Sequence, residues 1–595
     1  MTVDLYMSLP SPPSRAVLMT AQHIGLDVNK TIVDLANGEH LKPEYAKINP
    51  QRVVPTIVDN GYILWEGRAI QAYLANKYAP DHSVYPKDPQ ARAIVDRMLF
   101  FDIGTLYKAG SDFFAPQMFA GQPADPAKLE AFNKALGLLE DSLSKTKYVA
   151  ADHITLPDFS IYAGLTFAEV IDFSYAEFPK ISAWMETMKA EVPNNEEINV
   201  KPLLGFKEFI KSKNFGLVKF GGCKAKDIVG GMTVDVYLSY ASPPSRAVLM
   251  TAQHIGVDVN HKLVDLANGE HMEPEYLKGT LNSAILSVVL SSRKTRETST
   301  IKMPVDVYLA RPSAPCRAVL MTAAYVGVSV NVKDVDLWTG ENLKPEFTKF
   351  HNAGYLNSRS DLGSCSSVAG TTRESSPVTL NMTVDVYLAS ASGPCRAVLM
   401  TANHIGVDVN KKEINLMVGE QLKPEFLKMN PQHTVPTIDD NGFILWESRA
   451  VQTYLANKYA PDNSVYPKDP QVRAAVDRML YFDIGTLYKA EGEYLYPQLF
   501  AGQAADPVKL EAFKKALTLF EELLGKTKYA AADHITLADF SIFASLTFAE
   551  VADFSYAEYP KISAYMQKLK SEVPNHEEIN EKPLNGFRDF LKSKK

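Results

Sequence analysis

Four serines each stand directly before a proline-containing segment, and they are the residues best placed to do chemistry. Ser11, Ser242, Ser313 and Ser392 open the segments SPPSRAVLMTAQHIG, its identical copy, SAPCRAVLMTAAYVG and SGPCRAVLMTANHIG. A hydroxyl donor and the positive end of a helix both favour a thiolate at such a place. A ligand with a free thiol, whose pKa is ~8.5, is mostly protonated at neutral pH, so its thiolate would need such stabilisation. The alternative is that each serine is only a helix N-cap or turn residue, the usual role of serine beside proline.

The chain repeats itself around these serines. Two copies continue together to their ends, so that adding 381 to a number in the first gives its counterpart in the second, as Ser11 and Ser392 show. We call residues 1–213 the N-terminal module and residues 382–595 the C-terminal module. The other two copies lose the pattern soon after Lys278 and Lys349 and continue in Ser- and Thr-rich segments, which we interpret as linkers.

The similar ends of these two short copies favour one hypothesis for residues 215–381. They would be duplicated first exons followed by read-through sequence from a gene cluster. The alternative is a natural protein with two degenerate linker modules.

The sequence of each complete module predicts a small α/β domain followed by a helical domain. VDLYMSL and VNKTIVDL alternate as strands around a helix with proline in its first turn, and VVPTIVDNGYILW predicts a hairpin that turns at Asn60 and Gly61. This is the order of a thioredoxin-like domain. Thr155 and Asp158 are spaced as a capping box in the helical part. The predicted domains are thioredoxin-like at 1–82 and 382–463, helical at 87–213 and 468–595, and truncated thioredoxin-like fragments at 232–278 and 303–352.

Composition excludes several classes of function. The 62 basic and 69 acidic residues give a net charge of −7, and no Lys/Arg-rich run interleaves with aromatics, so no nucleic-acid partner is expected. No run reaches the ~18 to 20 apolar residues of a membrane span, and the start lacks the pattern of a signal peptide. The four cysteines form no CxxC pair, which argues against a structural zinc site or a disulfide scaffold. We expect a cytoplasmic protein without membrane contacts or a bound metal.

The sequence resembles the cytosolic glutathione S-transferases, most closely the insect delta class. The motifs that carry the resemblance are SPPSR, SAPCR or SGPCR after the first strand, NPQHTVPT, and LWESRA. The resemblance implies conjugation of reduced glutathione to small hydrophobic electrophiles, as in detoxification. Ser11 and Ser392 would then hydrogen-bond the glutathione sulfur as catalytic residues. Glutathione would be a co-substrate, and no permanently bound cofactor is implied.

The resemblance also implies the residues that bind glutathione. They are a cis-proline loop, the start of the following helix as an anion site, and two positions near the glycyl end. In the N-terminal module these are Val54, Pro55, Glu66, Gly67, Arg68, His40 and Arg52, and in the C-terminal module Val435, Pro436, Glu447, Ser448, Arg449, Gln421 and His433. A lost hydrogen bond to a charged ligand costs ~1.5 to 3 kcal/mol. We therefore expect the C-terminal module, which keeps the serine of ESR and the histidine of PQH, to bind glutathione more tightly.

An apolar electrophile site is expected between the two domains of each module. Its candidates are Tyr107, Phe113, Phe114, Phe119 and Phe206 in the first, and Tyr488, Tyr494, Tyr496, Phe500 and Phe587 in the second. Such aromatics also serve as ordinary core residues. Because Leu495 replaces Phe114 and Tyr496 replaces Ala115, we expect the two pockets to differ in shape.

Assembly and activity leave alternatives open at this point. Family enzymes are dimers, so either a homodimer or pairing of the two modules within one chain is expected. The rival functions are a non-catalytic protein that binds apolar ligands, and a glutathione-dependent peroxidase or dehydrohalogenase. The two fragments lack the cis-proline loop and the helical domain, and we expect them to be inactive and disordered in solution.

Overall fold

The computed structural model describes residues 3–212 and 383–593, together with four strands in the part between them. Those strands are β5 (Val234–Leu238), β6 (Val259–Leu263), β7 (Val305–Leu309) and β8 (Val330–Asp334). The helices predicted for the two fragments, and the prediction that the fragments are disordered, lie outside the described residues.

A four-stranded mixed sheet forms the first part of the N-terminal module. Its strands are β1 (Val3–Met7), β2 (Val28–Ile32), β3 (Thr56–Asp59) and β4 (Tyr62–Trp65), in the order β2-β1-β3-β4. Strand β1 runs parallel to β2 and antiparallel to β3. Alternate residues of β1 are buried, as the sequence pattern requires. The predicted turn between β3 and β4 is confirmed, with Asn60 at φ 51° and Gly61 at φ 85°.

Helices surround this sheet and then build the second part of the module. They are α1 (Pro12–His23), α2 (Pro43–Ile48), α3 (Gly67–Tyr78), α4 (Pro89–Phe101), α5 (Tyr107–Ala120), α6 (Pro126–Leu143), α7 (Leu156–Ala168), α8 (Pro179–Glu191) and α9 (Lys201–Ser212). The predicted capping box of Thr155 and Asp158 at the start of α7 is confirmed. The fold is thus a thioredoxin-like domain followed by a helical domain.

The C-terminal module repeats the same order of elements. Its strands β9 (Val384–Leu388), β10 (Val409–Glu413), β11 (Thr437–Asp440) and β12 (Phe443–Trp446) form a sheet of order β10-β9-β11-β12. Its helices are α10 (Gly393–His404), α11 (Pro424–Met429), α12 (Ser448–Tyr459), α13 (Pro470–Phe482), α14 (Tyr488–Ala501), α15 (Pro507–Leu523), α16 (Leu537–Ala549), α17 (Pro560–Glu572) and α18 (Lys582–Ser593).

A buried arginine joins the two domains of each module. In the C-terminal module the guanidinium of Arg396, on α10, donates to the hydroxyl of Thr547 at 2.8 Å and to the carbonyl of Ala544 at 2.8 Å, both on α16. Arg15 makes the equivalent bonds to Thr166 and Ala163 at 3.0 and 2.7 Å. The helix that begins beside each candidate serine is therefore fixed against the helical domain.

The four strands between the modules form two parallel pairs. Val234 is opposite Val259 in one pair, and Val305 is opposite Val330 in the other. The same register places Val3 opposite Val28 in the N-terminal module. These strands lie where the sequence predicts them.

The two modules form one compact unit and contact each other through α3, α4, α12 and α13. Two cation–π contacts are reciprocal: the Arg97 guanidinium lies 4.1 Å from the ring centre of Trp446, and that of Arg478 lies 4.2 Å from Trp65. The rings of Phe100 and Tyr481, which are counterparts, stack with centroids 4.7 Å apart. Within the described ranges, no helix combines the length and the apolar character needed to cross a membrane.

Candidate functional site

Both candidate serines lie at the N-terminal end of a helix, and neither hydroxyl caps a backbone N–H of that helix. Ser392 precedes α10 with φ −64° and ψ 126°, and Ser11 precedes α1 with φ −62° and ψ 121°. Neither side chain makes a capping hydrogen bond. Ser392 is instead near the thiol of Cys395, whose pKa burial raises to about 11 although the contact with the Ser392 hydroxyl lowers it. Each hydroxyl therefore remains free of the ordinary capping role.

The predicted cis-proline loops are confirmed, because the Val54–Pro55 and Val435–Pro436 peptide bonds are both cis. In the C-terminal module this loop is held by Asn430, which is fully buried. The Asn430 amide donates to the carbonyl of Thr434 at 3.0 Å and to the hydroxyl of Thr437 at 2.9 Å. The backbone of Val435 is thereby fixed beside the start of α12.

A glutamate with positive φ opens the helix after each hairpin. Glu447 has φ 67° and Glu66 has φ 69°, values that a residue other than glycine adopts only at a cost of ~1 to 3 kcal/mol. The Glu447 carboxylate accepts a hydrogen bond of 3.2 Å from the amide of Gln432. Burial raises the pKa of Glu447, while Arg449 and Gln432 oppose that rise. The glutamate at the start of this helix therefore has a strained backbone and a partly desolvated carboxylate.

The arginine that follows is buried against an aspartate of the helical domain. The Arg449 side chain donates through Nε to Oδ2 of Asp483 at 3.0 Å and also bonds that oxygen through a terminal nitrogen. Arg68 and Asp102 form the same pair at 2.8 and 2.5 Å. The structure thus places both predicted arginines in contact with a carboxylate, and this ion pair links the start of the helix to the second domain.

These elements enclose a cavity of about 500 Å³ in the C-terminal module. Its volume is in the range of small-molecule sites. The lining residues of this module are Pro394, Gln432, Thr434, Val435, Pro436, Glu447, Ser448, Arg449, Ile484, Tyr488, Lys489, Gly492, Glu493, Tyr496 and Pro497. The N-terminal module adds Gly104, Thr105 and Lys108 to the wall. The cavity brings together seven of the predicted site residues of the C-terminal module, from Val435 to Tyr496.

The other predicted polar residues lie around this cavity rather than in its wall. Ser392 is two residues from Pro394, which does line it. His433 and its counterpart Arg52 are exposed and have positive φ. Gln421 and His40 are half-buried, and the Gln421 Oε1 and the His40 Nδ1 have no hydrogen-bond partner. Both of these unpaired atoms are buried.

In the C-terminal module, most of the predicted aromatic residues form one continuous row. The Tyr496 hydroxyl donates to that of Tyr488 at 2.9 Å. The Tyr496 ring lies 5.7 Å from Phe500, which in turn lies 5.9 Å from Phe587. Tyr494 instead packs into the core, where its ring stacks on Phe513 at 6.2 Å.

The predicted aromatics of the N-terminal module are divided differently. Phe113 and Phe114 are only 3% and 5% exposed, and Phe114 packs on Phe132 with centroids 5.0 Å apart. Phe119 and Phe206 lie 6.2 Å apart at the surface of the helical domain. Tyr107 lies beneath the guanidinium of Arg68, at 5.4 Å. Two of the five are therefore core residues by position.

Sequence reasoning missed Asp483 and the three residues that the N-terminal module contributes. A signal existed, because the segment FDIGTLYKA, which contains Asp102, Gly104, Thr105 and Lys108, occurs unchanged in both modules. A stretch without a single difference between two diverged copies indicates a shared constraint. This segment supplies both the aspartate that pairs with arginine and the residues that the N-terminal module adds to the cavity wall.

Comparisons with known proteins match both modules. A model described as glutathione S-transferase, N-terminal domain, matches residues 1–76 and again 382–457. Two models described as glutathione S-transferase, C-terminal domain, match residues 105–191 and 492–577.

Three solved structures similar to this chain are insect proteins. A delta-class glutathione transferase of Nilaparvata lugens is 44% identical, and the alignment covers 35% of this chain and 99% of that one, with a TM-score of 0.35. A glutathione transferase of Bombyx mori is 40% identical over 35% of this chain and 98% of that one, with a TM-score of 0.34. An epsilon-class enzyme of the housefly Musca domestica is 38% identical over 36% and 99%, also with a TM-score of 0.34.

Proposed function

Because the chain belongs to the glutathione S-transferase family, we propose that it conjugates reduced glutathione, as the thiolate, to small hydrophobic electrophiles. The observation that carries this proposal is the cavity of about 500 Å³ in the C-terminal module. Its wall joins a cis-proline loop, the N-terminal end of a helix and two tyrosines, and Ser392 lies beside it. A peptide ligand and an apolar compound can both be held there.

The first step is the loss of the thiol proton. The Ser392 hydroxyl is not used as a helix cap, and it stands at the positive end of α10. A hydrogen bond to a charged sulfur is worth ~1.5 to 3 kcal/mol, which corresponds to ~1 to 2 pKa units. That shift brings a thiol of pKa ~8.5 into the neutral range, and the proton passes to solvent. Ser11 has the same backbone conformation and is proposed for the same role in the N-terminal module.

The second step is attack of the sulfur on an electrophilic carbon. The sulfur lone pair forms the new C–S bond, and the leaving group, such as halide, departs with the electrons of the broken bond. The protein contributes by holding both reactants in contact and by excluding water. We propose that Val435 and the start of α12 bind glutathione, and that Tyr488 and Tyr496 contact the electrophile.

The relatives and motifs of the chain support a finer assignment. We propose that both modules are of the delta class, that the thioredoxin-like domains span 1–82 and 382–463, and that the helical domains span 87–213 and 468–595. A 44% identical delta-class relative supports the class. We also propose that the protein acts in the cytoplasm in detoxification.

We propose further that the two modules pair within a single chain. The reciprocal contacts of Arg97 with Trp446 and of Arg478 with Trp65 support this arrangement. Sedimentation of the full chain at low concentration should give the mass of one chain. Assemblies of two or more chains at every concentration would contradict intramolecular pairing.

The test of catalysis is a Ser392→Ala change made together with Ser11→Ala in the full chain, so that neither module keeps its serine, assayed with a generic aromatic halide. We expect kcat/KM to fall ~10- to 100-fold at neutral pH, because one hydrogen bond to the thiolate is lost. The acidic limb of the pH–rate profile should move to higher pH. Ser571→Ala, an exposed serine of α17, is the control and should behave as wild type. An unchanged profile for the double variant would refute the role of these hydroxyls.

A further inference from the structure

We infer that Gly492 determines which electrophiles the C-terminal site accepts, because it sets where the ring of Tyr496 lies. This inference rests on the proposed function, since it concerns the electrophile that the same site would use. Both residues line the cavity of about 500 Å³, and they stand one turn apart on α14. A long side chain on a helix leans toward the preceding turn and covers the residue four positions before it. Tyr496 therefore lies over Gly492.

The ring of Tyr496 lies against the backbone of α14 at Gly492. A Cβ atom added to Gly492 would lie 3.1 Å from Cε2 of Tyr496, 3.4 Å from Cδ2 and 3.5 Å from Cζ. These three atoms form one edge of the ring. A side chain at position 492 would therefore push that edge away from the helix by a few tenths of an ångström.

Other contacts limit where a displaced ring can go. The ring of Tyr496 meets Phe500 edge-on with centroids 5.7 Å apart, and Phe548 edge-on at 5.8 Å. Its hydroxyl donates to that of Tyr488 at 2.9 Å. Because aromatic neighbours already occupy two sides of the ring, we expect a ring displaced from Gly492 to move into the cavity that it lines. The hydroxyl pair would be disturbed by the same movement.

The N-terminal module contains the same kind of pair one residue earlier on the equivalent helix, α5. A Cβ atom added to Gly110 would lie 3.3 Å from Cε2 of Phe114, which again stands four residues later, and 3.2 Å from Cε2 of Phe132. Phe114 is 5% exposed and packs on Phe132 at 5.0 Å and on Phe173 at 5.7 Å. In this module the glycine thus accommodates a ring of the core.

The shift of one residue changes the face of the helix that carries the ring. One residue corresponds to a rotation of ~100° about the helix axis. Leu495, the counterpart of Phe114, is 1% exposed, so this face belongs to the core in both modules. The N-terminal module has Ser111 and Ala115 where the C-terminal module has its glycine and tyrosine. The position of the glycine and its aromatic partner therefore distinguishes a ring in the core from a ring at the cavity.

The consequence for the C-terminal site is a selectivity by size. The ring of Tyr496 borders the cavity, so its position sets the width that an electrophile can use. One methylene group more or less in an apolar pocket changes relative kcat/KM values by ~10- to 200-fold. A ring shift smaller than one bond length should change them less, by ~3- to 10-fold.

The test measures selectivity in the full chain. It compares kcat/KM for 1-(chloromethyl)naphthalene, a bulky electrophile, with kcat/KM for iodomethane, a compact one. Every variant carries Ser11→Ala, so that turnover comes mainly from the C-terminal site. Gly492→Ala should lower the ratio of bulky to compact ~3- to 10-fold, because the displaced ring narrows the cavity. Tyr496→Ala should raise the ratio ~10-fold, because the ring is removed.

The double variant Gly492→Ala, Tyr496→Ala tests whether the glycine acts through the ring. Its ratio should equal that of Tyr496→Ala within ~2-fold, because the added methyl group no longer meets a ring. The fraction of active protein cancels in this ratio. Gly586→Ala is the matched control on α18, where an added Cβ atom would meet nothing within 4 Å among the described residues. It should keep the ratio of its parent.

Two results would overturn the inference and leave the proposed function intact. One is an unchanged ratio in Gly492→Ala. The other is the same loss whether or not the ring of Tyr496 is present. If the wild-type chain shows no glutathione-dependent turnover of either halide, the proposed function fails, and the inference fails with it.

Discussion

The hydroxyl of Thr453 in the C-terminal module donates a 3.0 Å hydrogen bond to Oδ2 of Asp96 in the N-terminal module. The equivalent hydrogen bond from the N-terminal module to Asp477 of the C-terminal module is not formed. Ala72 stands at the position equivalent to Thr453, and Oδ2 of Asp477, the counterpart of Asp96, is buried without a hydrogen-bond partner. Burial raises the pKa of Asp477 to about 7, and the neighbouring Asp96 adds to the rise. The Tyr466 hydroxyl and the arginines Arg473 and Arg92 oppose it.

Ala72→Thr should supply the missing donor. The pKa of Asp477 in the folded chain lies above its value in the unfolded chain, so this carboxyl destabilises the fold increasingly as pH rises from ~4 to ~7. A hydroxyl donor to the carboxylate should restore ~1 to 2 kcal/mol at pH 8 and much less at pH 5. Urea unfolding at both pH values measures the difference.

Thr453→Ala is the matched control for this interface. It removes the existing donor to Asp96 and should lower the free energy of unfolding by ~1 to 3 kcal/mol. If Ala72→Thr has the same unfolding midpoint as wild type at pH 8, the absent hydroxyl is not what leaves Asp477 unsatisfied.

A second buried carboxyl, Glu491, should also make stability depend on pH. It is 2% exposed, its Oε1 has no hydrogen-bond partner, and the N-terminal module has Gly110 in its place. Burial holds the pKa of Glu491 well above its usual range, Asp483 adds to this, and Arg396 opposes it. Since the carboxyl is favoured by the fold only when protonated, stability is lost as pH rises above ~4.5.

Glu491→Gln should therefore raise the free energy of unfolding by ~2 kcal/mol at pH 8, with little change at pH 4.5. Thermal unfolding at the two pH values measures this. Glu511→Gln, a change of an exposed glutamate on α15, is the control and should shift stability by less than ~0.5 kcal/mol at either pH. An equal gain at both pH values would mean that burial of the charge is not the cause.

The hydroxyl pair of Tyr496 and Tyr488 should affect which electrophiles are used. Because Tyr496 donates to the Tyr488 oxygen at 2.9 Å, the Tyr488 proton is directed elsewhere, and Tyr488 lines the cavity. Tyr496→Phe should lower kcat/KM ~2- to 10-fold for electrophiles with an oxygen acceptor, such as an epoxide or an enone. Simple alkyl halides should be affected less. Tyr494→Phe, whose ring packs on Phe513, is the control; equal losses for both substrate classes would contradict this role for the pair.

Sequence reasoning succeeded where a few neighbouring residues determine the structure. Asn60 and Gly61 tolerate positive φ, so the hairpin turn was predictable, and the spacing of Thr155 and Asp158 predicts a cap from two side chains and two backbone groups. The cis bond before Pro55 was predictable only from the resemblance, because the letters VVPT alone favour a trans bond.

What could not be predicted depends on contacts between distant parts of the chain. Arg449 was expected to bind a ligand, and its pair with Asp483 became visible only when the helical domain was placed. The sequence alone does not show whether Phe114 lines a pocket or belongs to the core. Its packing on Phe132 shows that it belongs to the core. Lys108 reaches the site of the other module through an arrangement of the two modules that neither copy encodes alone.

The same buried ion pair occurs once in each module, as Arg449 with Asp483 and as Arg68 with Asp102. Both pairs are buried, so replacing either aspartate by asparagine leaves an arginine charge without its partner, at a cost of ~3 to 5 kcal/mol. Asp483→Asn and Asp102→Asn should therefore lower unfolding stability by similar amounts.

Their effects on ligand binding should differ. Arg449 lines the large cavity, so Asp483→Asn lets its guanidinium shift within the proposed glutathione site. Asp102→Asn acts on Arg68, which does not line that cavity, so binding there should change little. S-methylglutathione affinity should fall ~10-fold or more in Asp483→Asn, the expected loss of one charged hydrogen bond, and less than two-fold in Asp102→Asn. Equal losses in both variants would mean that the pairs act on binding only through overall stability, because the geometric argument requires the two modules to respond differently.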